Sequence, residues 1–370
     1  MRIVHLSDTH LGFSAYSRID PDLSVNQREA DIYDAFRQAV DRAIELKPDA
    51  VIHAGDLFDK VHPQNRAIDF ALRQLIRLSD AGIDVILISG NHSTPRLRET
   101  GNIFSIFEHL PRIHPVFEPR GRALVIGDMT VTAVPHSASP PLADIVRSLK
   151  PSRETGKNVL VLHAGLLGSE TYRMDEFNEQ TIPLSLLSEE WDYVALGHYH
   201  EHRKVRDGVC YSGSTERMGF GELGHKKGIV HLDLDSKKIG FEPLDTREMV
   251  DLPEIDASGW TSSEIVKAAR DIISSRSIDD KIVRLIVRNI ERDAYRSLDI
   301  PSIRKLGSSA LHFELRTDRR EDAEEGVVGD AQIGVLEDEF RKYVSSREFP
   351  EERKHKLLAM GEPYFARGEE

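Results

Sequence analysis

The chain has 370 residues, a formal net charge of −13, 39% hydrophobic residues and a single cysteine. That length suggests about two or three domains; no run approaches the roughly 18 apolar residues that cross a bilayer, and the lone thiol, Cys210, excludes an internal disulfide. A cytoplasmic protein without membrane contact is expected, because Met1 leads straight into a strand, and the acidic balance at first argues against a nucleic-acid partner.

In chain order, five short apolar runs bounded by glycine and separated by helical stretches read as buried parallel or mixed strands. Residues 2–7 are followed by Asp8 and His10, residues 50–54 by Asp56, and residues 85–89 by Asn91 and His92. Residues 159–162 are closed by His163, and residues 193–196 are followed by His198 and His200. Between these runs, residues 66–79 and 101–110 place Ile68, Leu72, Leu75, Ile76, Ile103, Phe104, Ile106 and Phe107 at roughly helical spacing. Gly127-Asp128, between apolar residues 122–126 and 129–134, is a hairpin signal. Residues 209–212 read as a strand in which Cys210 is packed.

Residues 1–245 therefore form a core domain. After a connection near Pro253, a helix over 262–276, a strand over 281–290, a helical turn over 293–297 and a strand over 310–317 make a small α+β unit, residues 246–320. Residues 321–331 read as an acidic, glycine-containing linker. In residues 332–370, Ile333, Leu336, Phe340, Tyr343 and Val344 recur at helical spacing, and Pro350 starts a second helix carrying Leu357 and Leu358. No internal repeat at solenoid periods occurs. The charge is uneven: residues 321–340 hold eight Asp/Glu and no Lys/Arg, whereas 276–320 hold eleven Lys/Arg against seven Asp/Glu.

Seven metal-ligand types, Asp8, His10, Asp56, Asn91, His163, His198 and His200, sit just past strand ends, where open α/β sheets bind ligands. One ion needs about four to six donors, so two metals sharing a carboxylate is the economical reading, with Asp56 as the bridge. Imidazole, carboxylate and amide without thiolate favour catalytic Mn²⁺, Fe²⁺ or Zn²⁺ over structural zinc. Two aspartates against two divalent ions leave a positive excess that suits phosphoester hydrolysis. His92, diverging from its neighbour Asn91, is assigned proton donation to the leaving oxygen or stabilisation of the pentavalent phosphorus.

Asp8-x-His10, Gly55-Asp56, Gly90-Asn91-His92, His163 and Gly197-His198-x-His200, in that order, resemble the calcineurin-like metallophosphoesterase superfamily. Within it, residues 3–12 (IVHLSDTHLG), 54–58 (AGDLF) and 211–214 (YSGS) resemble the nuclease subunit of the DNA double-strand-break repair complex, the meiotic recombination eleven type with SbcD as its bacterial counterpart, here of archaeal appearance. The resemblance implies an α/β fold: a core of two packed mixed sheets flanked by helices, a small α+β capping domain and a C-terminal helical tail. It implies one metal on Asp8, His10, Asp56 and His200 and another on Asp56, Asn91, His163 and His198. It also implies Mn²⁺ as the metal, a catalytic His92, and exonuclease and endonuclease action on DNA: double-stranded ends, hairpins and single strands. A homodimer through the helices around 66–79 and 101–110 is implied as well, as is a coiled-coil ABC-type ATPase partner bound through residues 332–370. Ser93 stands where many relatives carry an acidic residue, and Asp59 where many carry histidine.

Each donor also has a bland reading, since a single histidine is often structural and Gly-Asp after a strand is often a turn or cap; recurrence at five strand ends argues for a site. His53, His62, His136, His202, His225 and His231 lack a motif place and are read as non-ligands, with His62 nearest the entrance. Two other functions fit less well: a small-molecule or cyclic-nucleotide phosphodiesterase of the same superfamily, and a catalytically degenerate assembly scaffold.

Overall fold

The computed structural model describes residues 1–95, 101–168 and 179–319, together with helical residues 340, 343–344, 353–358 and 360. The 321–331 linker and most of the 332–370 tail lie outside the described residues. The chain divides into two compact units.

The first unit holds residues 1–254, 266–286 and 299–316. Strands β1 (Arg2–Leu6), β2 (Ala50–His53), β3 (Asp84–Ile88) and β4 (Ile113–Val116) run parallel, with α1 (Gln27–Leu46) and α2 (Asn65–Asp80) as the first two crossovers. The hairpin strands β5 (Arg122–Ile126) and β6 (Met129–Val134) start a second sheet. After α3 (Leu142–Ser148), β7 (Lys157–His163) lies parallel to β6. A short parallel pair, β8 (Gly165–Leu167) and β9 (Thr181–Pro183), follows. β10 (Tyr193–Gly197) then adds parallel to β7, and β11 (Arg203–Arg206) and β12 (Val209–Tyr211) complete that edge. Finally β13 (Gly228–Asp233) and β14 (Lys238–Pro243) return to the first sheet, β13 antiparallel to β1. The two six-stranded orders are β14-β13-β1-β2-β3-β4 and β11-β12-β10-β7-β6-β5.

Strand periodicity explains the layering, because alternate side chains leave opposite faces. Ile3, Ala50, Ile52, Ile86 and Ile88 of the first sheet meet Val131, Ala133, Val159, Val161, Tyr193 and Ala195 of the second in one apolar layer. Val4, Leu6, Val51, Val85 and Leu87 face the other way, against Ile32, Phe36, Ala39, Val40 and Ala43 of α1 and Ala67, Ala71, Leu75 and Leu78 of α2. These helix residues recur three and four apart, which places them on one stripe. Leu160, Leu162, Val194 and Leu196 pack outward against Leu142, Ile145 and Val146 of α3. A helix–sheet–sheet–helix sandwich results. Both sheets mix parallel and antiparallel neighbours and are flanked by helices, as the resemblance implied. Cys210 is buried and reduced.

Residues 103–109 form a 3₁₀ helix rather than the α-helix the spacing suggested. Asn102 caps it by accepting the Phe104 N–H. A three-residue turn brings Phe104 above Phe107, their rings edge-to-face at 5.7 Å between centroids, and both rings pack on Phe58. Further along, β15 (Met249–Asp251) lies parallel to the first half of β17 (Ile282–Ile290). Arg284 grips Asp251 through two hydrogen bonds of 2.8 and 2.7 Å. Tyr16 stacks on His312 at 3.7 Å between ring centroids.

The second unit holds residues 255–265, 287–298 and 317–370. In it β16 (Ile255–Asp256) pairs parallel with the second half of β17, a short helix (Arg292–Arg296) follows, and Arg319 covers the Tyr295 ring at 5.3 Å. Among the described residues no helix is long and apolar enough to cross a membrane.

Candidate metal centre

Asp8 and His10 follow β1, Asp56 follows β2, Asn91 and His92 follow β3, His163 ends β7, and His198 and His200 follow β10. The site is therefore built where carboxyl ends of both sheets meet. All seven expected donors are buried, and His92 is half-buried. Asp8, His10, Asp56 and His198 have positive φ, at 52°, 46°, 52° and 100°. Such backbone costs about 1–3 kcal/mol per residue and persists where surrounding structure enforces it. Here the Asp8 N–H donates to the Gly55 carbonyl and the His10 N–H to the Asp56 carbonyl, each at 3.0 Å. A β-carbon at Gly90 would collide with Asp56, and one at Gly197 with the Ala54 carbonyl and the His163 ring. Glycine therefore permits the close approach of four strand ends.

The donors converge in overlapping groups. Asp8, His10 and His200 present ligand atoms within 4.8 Å of one another, as do Asp8, Asp56 and His163. His10 Nε2 and His200 Nε2 are 3.2 Å apart. His163 Nε2 lies 2.8 Å from Asn91 Oδ1 and 3.1 Å from Asp56 Oδ2. The His198 N–H points at both oxygens of Asp8, 3.1 Å each, and its ring lies 5.3 Å from that of His163. Asp8 thus sits beside both groups, although the resemblance places it on one ion. A third group, His10, Asp59 and His92, adds Asp59, which the sequence reading treated only as a departure. Among the described residues, none of His53, His62, His136, His202, His225 and His231 joins these groups. His53 is 3.1 Å from Thr9 Oγ1, His202 stacks on Phe241, and His62 is exposed.

The arrangement fits divalent ions on two observations. Two imidazole nitrogens buried 3.2 Å apart require a cation or a proton between them. The opposite ring nitrogens are engaged away from the cluster: His163 Nδ1–H donates to the Ala54 carbonyl at 2.8 Å, and His200 Nδ1 lies 2.7 Å from Glu222 Oε1. That polarity is the usual preparation of an imidazole for metal binding.

Electrostatics agree with a site built around positive charge. Burial disfavours ionised Asp56, but His163, His10 and His92 outweigh it and hold its carboxyl far below the ordinary range. Burial likewise opposes charge on His163, yet Asp56 and then Asp8 push it up to about 9. At Asp8 burial wins over His163 and His200, lifting the carboxyl to about 6.

Sequence reasoning missed two residues that touch the imidazoles and a third that backs one of them. Glu222 accepts from His200, Lys227 stands behind Glu222, and Glu179 Oε1 lies 3.4 Å from His198 Nε2 while accepting the Tyr199 hydroxyl. The available signal was a lysine at the head of an apolar run, residues 227–234, five positions after a glutamate.

Residues 1–220 match the family model for calcineurin-like phosphoesterase. Three curated relatives bear the name DNA double-strand break repair protein Mre11. That of Sulfurisphaera tokodaii is 36% identical over 205 residues, 55% of this chain and 49% of the relative. That of Sulfolobus acidocaldarius is 32% identical over 261 residues, 68% and 65% of the two chains. That of Methanopyrus kandleri is 24% identical over 357 residues, 88% and 72%. The chain spans about half to two thirds of the length of the first two.

Proposed function

From the premise that this chain belongs to the calcineurin-like phosphoesterase family, we propose that it is a Mn²⁺-dependent DNA nuclease that processes double-strand-break ends as exonuclease and endonuclease. The observation that carries the reading is the meeting, at one place, of carboxylate, amide and imidazole donors from the ends of two sheets. The name borne by the relatives supports DNA as substrate.

Asp8, His10, Asp56 and His200 would hold one ion; Asp56, Asn91, His163 and His198 would hold the other. When bound, two divalent ions supply Lewis acidity toward a phosphoryl oxygen and lower the pKa of water. The chain's own residues do the rest. Asp56 is oriented by the His92 N–H, which donates to its Oδ1 at 3.0 Å. His92 Nδ1 lies 2.9 Å from the Asp59 carbonyl, so Nδ1 carries the proton and Nε2 is the nitrogen that exchanges one with the leaving oxygen. The His10 ring meets that of His92 edge-on at 4.8 Å and fixes its tilt.

Residues 246–320 serve as a capping domain whose Lys/Arg excess over 276–320 contacts DNA. Residues 66–79 and 101–110 form the homodimer contact, and residues 332–370, beyond the linker 321–331, dock on a coiled-coil ABC-type ATPase. The test is a Mn²⁺ titration comparing end-labelled duplex and hairpin oligonucleotides with cyclic nucleotides and small phosphodiesters. Preference for the polymer supports the nuclease; equal or greater turnover of small diesters would favour a small-molecule enzyme. Removing residues 331–370 should spare diesterase activity and end ATPase capture in a pull-down.

A further inference from the structure

We infer that Glu222, held in place by Lys227, is a positioning residue that selects the ring tautomer of His200 and so aims its Nε2 into the cluster; the inference rests on His200 being a metal ligand, as proposed above. The geometry is a three-link chain leading away from the site. Glu222 Oε1 lies 2.7 Å from His200 Nδ1, and Oε2 lies 2.5 Å from Lys227 Nζ. Lys227 Nζ also donates to the His200 carbonyl at 2.9 Å and to Ser214 Oγ at 2.7 Å. An ammonium has three protons to give, and these three acceptors take them. The Lys227 side chain is 0% exposed and that of Glu222 7%.

Both ends of the chain constrain its middle. A carboxylate only accepts hydrogen bonds, so His200 Nδ1 must donate and the lone pair falls on Nε2, 3.2 Å from His10 Nε2. The ammonium holds the carboxylate in place by claiming its second oxygen. A buried ion pair is weak evidence for stability by itself; coupling to an imidazole aimed at the cluster gives this one a use. Lys227 directly precedes β13, which pairs with β1, the strand that leads into Asp8. The orientation of His200 is thereby tied to the sheet that supplies the donors opposite it.

Glu222→Gln tests this nearly without change of volume. Its amide NH₂ cannot face the ammonium, so the oxygen turns to Lys227 and the nitrogen to His200, which must then accept at Nδ1 and carry its proton on Nε2. NMR of isotope-labelled histidine in the metal-free protein at alkaline pH should report that switch. Mn²⁺ affinity by calorimetry should fall by ~10–100-fold. Adding Lys227→Met removes the competing donor, so the double variant should regain the original tautomer and part of the affinity. A purely structural pair predicts the reverse, further loss with each buried group removed. Lys227→Met alone, with the carboxylate retained, should keep the original tautomer. The inference is overturned if Glu222→Gln keeps the wild-type tautomer, or if the double variant binds Mn²⁺ no better than the single one. His200→Ala separates the two readings: unchanged Mn²⁺ affinity there would sink the ligand assignment, whereas the tautomer readout needs no metal.

Discussion

Replacing Gly90 with alanine isolates the crowding that holds the centre together. The added methyl meets Oδ1, Cγ and the backbone nitrogen of Asp56. Asp56 has little room to retreat: Oδ1 accepts the His92 N–H at 3.0 Å, Oδ2 is 3.1 Å from His163 Nε2, and its carbonyl accepts the His10 N–H at 3.0 Å. Overpacking of this kind costs about 1–3 kcal/mol. At about 2–4 °C per kcal/mol in a domain this large, the metal-free protein should melt roughly 2–12 °C lower. The site should suffer more, because displacing Asp56 by even ~1.4 kcal/mol of binding energy lowers Mn²⁺ affinity tenfold. Circular dichroism melts without metal and calorimetric Mn²⁺ titration measure the two effects. Gly219→Ala is the control: its backbone is extended, at φ −171°, and nothing lies within 4 Å of the added carbon. It should stay within about 0.5 kcal/mol of wild type. If Gly90→Ala matched this control in both assays, the crowding around Asp56 would be wrong.

Asp56→Ala should empty both metal positions, and two ions retained by elemental analysis would refute the bridging role. His92→Ala should keep both ions and lose phosphodiester hydrolysis by about 10²–10⁴-fold; wild-type turnover would remove its proton-transfer role. Asp31, near the start of α1, takes two hydrogen bonds of 2.7 Å from Arg247 and one of 2.5 Å from Arg28. Burial opposes its ionisation, but Arg247 and Arg28 hold the carboxyl below its usual range. A depressed acid stabilises the fold above its unfolded pKa of about 3.9 and loses that contribution as pH falls through the folded value. Asp31→Asn should therefore cost about 3 kcal/mol at neutral pH and blunt the loss on acidification. Urea unfolding at neutral and acid pH checks this, and undiminished acid sensitivity in the variant would contradict it.

The donors were legible because each stands at a break in an apolar run, where a strand must end and a polar side chain needs a reason to be. Which sheet each strand joins was not, since strands buried on both faces read alike; only the family resemblance supplied the second sheet. Residues 101–110 misled because three-residue and 3.6-residue periods place Phe104 and Phe107 together equally well over so short a run. Glu222 and Lys227 were hard to read for another reason. Their meaning lies in what they face, 22 and 27 positions from His200 along the chain, and a glutamate and a lysine in a polar loop ordinarily point to solvent.

The donors are divided between two hands. Asp8, His10, Asp56 and Asn91 hang from one sheet, while His163, His198 and His200 hang from the other. The gap between them is thus a caliper whose setting is the thickness of the apolar filling, which includes the small side chains Ala50, Ala54, Ala133 and Ala195. A methyl group or two added there, as in Ala195→Val, should spread the jaws, so the filling between the sheets tunes how tightly the chemistry is gripped.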